Sequence, residues 1–161
     1  MIAEIVSIKK EDFMERVKYL IDSYVGVNGY KFGKTPSDIE AEFGIADKKE
    51  EDDILEMVFE TRDGVELQYH KKGRKYVLAA ITILKKTSAD VFIGEKNVFN
   101  SMSVGISELS TDFLQGEKYD FFGKIGVSVA GYSRKKPKEG PCVIAFSKAS
   151  YDIFELDGLK Q

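Results

Sequence analysis

The sequence predicts an α+β fold: two tandem copies of a short helix plus an antiparallel three- to four-stranded meander, with an extra N-terminal helix. Three observations carry this expectation. Residues 11–24 place Phe13, Val17, Leu20, Ile21 and Tyr24 at the spacing of one helix face. From Ile54 onward the pattern changes to short alternating runs broken by hairpin signals. The pattern then recurs: Gly64-Val65-Glu66-Leu67 aligns with Gly126-Val127-Ser128-Val129 at an offset of 62 residues.

Each element follows from local chemistry. The first helix stops at Gly26 and Gly29. A second opens with Thr35 as N-cap, Pro36 in the first helical position and Asp38 three residues past the cap. Ile39 and Phe43 are its expected buried pair, and Gly44 ends it. Residues 47–53 read as a solvated acidic loop. Ile54 to Glu60 reads as a strand, and Arg62-Asp63-Gly64 as a hairpin turn whose Asp-Gly supplies positive φ. Val65, Leu67 and Tyr69 alternate with Glu66, Gln68 and His70, a half-buried strand. Lys71 to Lys75 forms a basic turn around Gly73. Tyr76 to Leu84 is apolar on both faces and is expected at the centre of a sheet.

The second copy keeps the register without gaps. Lys72 meets Arg134, Ile81 meets Val143, Leu84 meets Phe146 and Asp90 meets Asp152. Upstream, Phe32 and Ile39 match Phe99 and Ile106, and Ser103–Leu109 supplies the helical cover. Val91-Phe92-Ile93 is expected to start the crossover, and Tyr151 to Leu156 to add an edge strand. One unit alone buries a single sheet face and is marginal, so two are expected to pack together. The division falls at 1–90 and 91–161. No linker rich in proline, glycine or serine separates the halves, which argues for one packed unit.

Composition limits the chemistry. The 161 residues are 43% hydrophobic and 32% charged, enough for a core and a solvated surface. The net charge of −3 argues against nucleic acid as main partner. One cysteine excludes an intrachain disulfide and a cysteine-rich zinc site; one histidine excludes any site needing two imidazoles. The first residues, Met1-Ile2-Ala3-Glu4-Ile5-Val6, lack a basic segment before an apolar stretch, and no apolar run is long enough to span a bilayer. The expectation is a cytoplasmic protein with Cys142, set among Val143, Ile144 and Phe146, as a core thiol.

Candidate motifs point to binding more than to reaction. Asn28-Gly29-Tyr30-Lys31-Phe32-Gly33-Lys34-Thr35 nearly spells a P-loop, but Asn28 replaces the first glycine and the surroundings are antiparallel. His70 has no serine or cysteine tied to it by spacing and reads as an exposed strand histidine. The acidic run Glu50, Glu51, Asp52 and Asp53 lacks the alternation and central glycine of a calcium loop, and suits a basic partner instead. The basic turns, with Lys71, Lys72 and Arg74 in the first copy and Arg134, Lys135 and Lys136 in the second, connect equivalent strands and are expected on the same edge. No catalytic, cofactor-binding or metal-binding residue is assigned. These ten charged residues are the expected protein interface.

The segment Tyr30-Lys31-Phe32-Gly33-Lys34-Thr35-Pro36-Ser37-Asp38-Ile39, closed by Phe43-Gly44, resembles the helix opening of the β-lactamase-inhibitor-protein / SmpA-like fold, a helical and four-stranded unit that occurs in duplicate. The paired strings are also similar to small bacterial proteins of immunity type. The second copy carries Asn100 and Met102 in place of Gly33 and Thr35, and the inhibitor family is disulfide-bonded whereas this chain has one cysteine. The resemblance implies a protein-binding role through an exposed sheet face and hairpin loops. The function expected is therefore non-enzymatic: an inhibitor or immunity protein that neutralises a bacterial toxin domain, as a monomer or homodimer. The alternative is a structural or assembly accessory protein, phage- or envelope-associated.

Overall fold

In the computed structural model, which describes residues 17–85 and 89–150, Val17–Asp22 is a strand, β1, and not the second half of a helix. Tyr19 and Ile21 are buried while Lys18 and Leu20 face solvent, so the burial has a period of two. Ile21 fits both patterns, but Leu20 fits only the helical one and Tyr19 only the alternation. A parallel partner, Ala89–Ile93 (β8), decides between them, pairing Tyr19 with Val91 and Ile21 with Ile93. Residues 11–16 of the predicted helix and the predicted strand at 151–156 lie outside the described residues.

After two short strands, Gly26–Val27 (β2) and Tyr30–Lys31 (β3), comes helix α1, Pro36–Phe43. Its start follows the sequence reading: the Thr35 hydroxyl accepts from the Asp38 N–H, and the Asp38 carboxylate accepts from the Thr35 N–H. Ile39 is buried. Phe43, the other half of the expected pair, stays partly exposed and lays its ring against Tyr30, centroids 4.5 Å apart.

The segment expected as an acidic loop is largely a strand, β4, Lys48–Asp52, whose side chains are exposed or half-buried. Pairing with Met57–Arg62 (β5) outweighs its low strand propensity, and its charges suit a sheet edge, where they oppose strand addition. β5 begins at Met57, so Ile54 lies in the preceding turn and not in the strand. The Asp63-Gly64 turn joins β5 to Val65–Lys72 (β6), with φ of 48° and 79° as the sequence requires. Lys75–Leu84 (β7) follows and is central, as expected.

β8 is an inner strand of a second sheet, between β1 and the edge, correcting the reading of residues 91–93 as the start of a crossover. It continues through Lys96–Asn97 (β9) into α2, Val98–Val104, and α3, Ile106–Leu109. Phe113–Gln115 (β10), Tyr119–Phe122 (β11), Val127–Ala130 (β12) and Cys142–Phe146 (β13) complete the chain's strands among the described residues. The fold mixes helix and sheet, with strand predominating. The five-stranded sheet has the order β3-β2-β1-β8-β9. The eight-stranded sheet has the order β10-β11-β12-β13-β7-β6-β5-β4, antiparallel throughout.

One core joins the layers. Val65, Leu67, Ile81, Ile83, Val127, Val129 and Val143 of the large sheet meet Tyr19, Ile21 and Val91 of the small one, with Ile39, Phe99, Met102 and Leu109 from the helices. Two carboxylates enter this layer. Glu60, 3% exposed, pairs in register with Leu67 and bonds Arg62 and Tyr69. Asp120, 1% exposed, pairs with Val129 and accepts from the Ser133 hydroxyl at 2.7 Å.

Burial pushes the Asp120 carboxyl above its usual range, against the pull of Ser133 and Lys136. A carboxyl raised in the folded state keeps its proton to higher pH there than in the unfolded chain. This term's contribution to stability therefore grows as pH falls through the window between the raised value and the ordinary one, and its ionised form is a cost at neutral pH. Asp120→Asn keeps an acceptor for Ser133. It is expected to melt above the parent at pH 7, with the gap closing on acidification; thermal scans of both across pH check this, and equal melting at pH 7 would contradict it.

Candidate functional site

One end of the eight-stranded sheet gathers the β4–β5 turn and the β6–β7 turn. Met57 pairs with His70, and the Lys71 N–H donates to the Glu56 carbonyl at 3.3 Å, so residues 53–56 are tied to β6. The Lys71 ammonium lies 3.6 Å from the Glu56 carboxylate, a surface contact of small energetic weight.

The β4–β5 turn is internally braced. The Asp52 carboxylate oxygen Oδ1 accepts from the Ile54 N–H at 3.0 Å and the Leu55 N–H at 2.9 Å. Glu56 takes a left-handed φ of 53° to close the turn. This geometry projects two apolar side chains into water: Ile54 is 95% exposed and Leu55 61%. Asp52, Asp53 and Glu56 surround them in sequence.

The four predicted acidic residues do not form one cluster. Strand alternation splits Glu50 and Asp52 from Glu51, which turns toward the N-terminus of α1 and lines a cavity of about 430 Å³ with Thr35, Lys49, Lys75 and Tyr76. Glu50 pairs with Lys48 at 2.9 Å. Together with burial, which is the larger cause, the Glu50 charge raises the Glu66 carboxyl above its ordinary value. Asp53 is exposed at the turn.

The basic turns also separate, which corrects the expectation that they share an edge. β7 and β13 pair antiparallel, with Ile83 opposite Val143 and Ala80 opposite Phe146. Turns preceding these two strands must then lie at opposite ends of the sheet. Lys71, Lys72 and Arg74 sit beside the acidic tip. Arg134, Lys135 and Lys136 sit at the far end, where Lys135 bonds the Glu117 carboxylate at 2.8 Å and Lys136 the Gly131 carbonyl at 3.0 Å.

His70 is half-buried and not exposed as expected. Its Nε2 lies 3.3 Å from the Gln68 side-chain oxygen, and burial lowers its pKa. Cys142 is buried, and burial pushes its thiol up, which disfavours the thiolate. Among the described residues no group of three or more His, Cys, Asp or Glu is placed to hold a metal ion, and no helix is long and apolar enough to cross a membrane.

Sequence reasoning missed Ile54 and Leu55 by assigning Ile54 to a strand. The available signal was an apolar pair directly after Asp52-Asp53, where an aspartate can cap the two N–H groups that follow. Compared with protein-family models, with curated proteins and with solved structures, the chain matches none of them.

Proposed function

We propose that this chain is a non-enzymatic protein-binding module of inhibitor or immunity type, which blocks its partner, a toxin domain, through the acidic hairpin tip at residues 50–56. The observation that carries this reading is the fixed display of Ile54 and Leu55. A soluble fold gains nothing by holding two large aliphatic side chains in water, whereas an interface gains two anchors already ordered. The surrounding carboxylates favour a partner whose apolar pocket is rimmed by lysine or arginine, and they would speed its capture. Buried, reduced Cys142 accords with a cytoplasmic setting.

The reading includes a doubled architecture in the large sheet. Its support is register: Val65 pairs with Ile83 and Leu67 with Ile81, while Val127 pairs with Ala145 and Val129 with Val143, the same pairs 62 residues on. The parallel β1–β8 pair does not follow a two-fold axis normal to the sheet, so the doubling is confined to the eight strands.

The test is affinity capture from the native host followed by calorimetry on the captured protein. The parent is expected to retain one partner at one-to-one stoichiometry. Ile54→Asp with Leu55→Asp is expected to weaken that complex about 100-fold or more, as two central anchors should. Recovery of no stoichiometric partner, or equal binding by the double variant, would overturn the reading.

A further inference from the structure

We propose that a cleft beside His70 binds a small amphipathic monocarboxylate, with its apolar body inside and its carboxylate on Lys72. The cleft, about 410 Å³, lies between the β6–β7 hairpin, the Phe32-Gly33 loop and the Ser147–Ser150 segment. Its volume falls within the range of small-ligand sites.

Both walls are pinned to the same strand. The Gly33 N–H donates to the Leu78 carbonyl at 2.9 Å and the Leu78 N–H to the Lys34 carbonyl at 2.8 Å. On the other side the Ser147 N–H donates to the Ala79 carbonyl at 2.8 Å. The cleft is therefore preformed, and a ligand need not spend binding energy ordering it.

The lining sets the ligand's chemistry. Phe32, Val77, Leu78 and Ala79 offer an apolar interior. The serine hydroxyls are already committed, Ser147 to Ser150 at 3.2 Å and Ser150 to the Ala79 carbonyl at 3.3 Å, so they do not call for a polar ligand body. Of the two lysines at the rim, Lys71 faces Glu56, whereas Lys72 has no acidic partner within 4 Å among the described residues. One uncommitted cation at the mouth of an apolar cleft fits one anionic head on a short apolar tail.

Octanoate, kept below micelle formation, is the probe. His70 is the chain's only histidine, so its ring resonances report on the cleft without ambiguity. Octanoate is expected to shift them saturably with a dissociation constant of about 1 mM, and octan-1-ol to bind about tenfold more weakly. Lys72→Glu, an exposed change, is expected to weaken octanoate at least about tenfold. Ala149→Trp, also exposed and set in the cleft wall, is expected to block it. Unmoved His70 resonances, equal binding of the alcohol, or unchanged affinity in either variant would overturn the proposal. Ile54 and Leu55 do not line the cleft, so this outcome is independent of the interface reading.

Discussion

Replacing Arg62 by alanine is expected to cost about 3–5 kcal/mol of folding stability, the penalty of leaving a buried carboxylate without its cation. Arg62 and Glu60 are each 4% exposed in their side chains and 3.0 Å apart. The guanidinium also donates to the Gly44 carbonyl at 2.6 Å, tying the end of α1 to β5. The Tyr69 hydroxyl, whose pKa burial and Glu60 drive far above the ordinary value, completes the trio as a donor to Glu60 at 2.6 Å. Removing Arg62 leaves Glu60 with one donor in a water-poor layer and frees the helix terminus. Urea denaturation of parent and variant measures the loss. A change under about 1 kcal/mol would mean that water reaches the pair. Glu60→Leu with Arg62→Leu and Tyr69→Phe is expected to recover most of the loss, because a matched apolar trio carries no desolvation cost and leaves no buried hydroxyl without an acceptor.

Phe122→Ala is expected to cost a similar amount, about 3–5 kcal/mol, for a different reason. Phe122 is fully buried and pairs with Val127 just before a turn, as Arg62 pairs with Val65 just before its own. At one position the sheet fills the core with an ion pair, at the other with a ring. Loss of the ring leaves a cavity lined by Val127 and its neighbours, and no unpaired charge. The two variants therefore separate by rescue. The Arg62 loss is recovered by removing Glu60's charge, whereas the Phe122 loss is recovered only by restoring volume, as in Phe122→Leu, which is expected to regain more than half. Denaturation of these variants at one pH is sufficient, and equal stability of Phe122→Ala and Phe122→Leu would count against a cavity as the cause.

The charged runs of the candidate site were legible as composition, but not their placement. The acidic run and the first basic turn lie at one end of the sheet because β4, β5, β6 and β7 are joined by consecutive hairpins. The second basic turn was misplaced. A recurring pattern in sequence preserves the order of elements, but antiparallel pairing of β7 with β13 reverses direction and sends the turns that precede them to opposite ends. Ile54 and Leu55 were missed because an apolar pair next to a strand reads as strand until the hairpin register shows where pairing stops.

By itself the sequence determined the start of α1, the Asp63-Gly64 hairpin, the inward row of Val65, Leu67 and Tyr69 and the central place of β7. Each rests on forces acting within a few residues: a capping hydroxyl, a positive φ, a period of side chains. Tertiary structure alone decided that residues 17–22 extend instead of coil, that a charged run becomes an edge strand and that Glu60 finds Arg62 and Tyr69 in the core. Those outcomes depend on partners far along the chain, such as β8 for β1. Pairing energy from a distant strand outweighs local preferences worth a few tenths of a kcal/mol per residue.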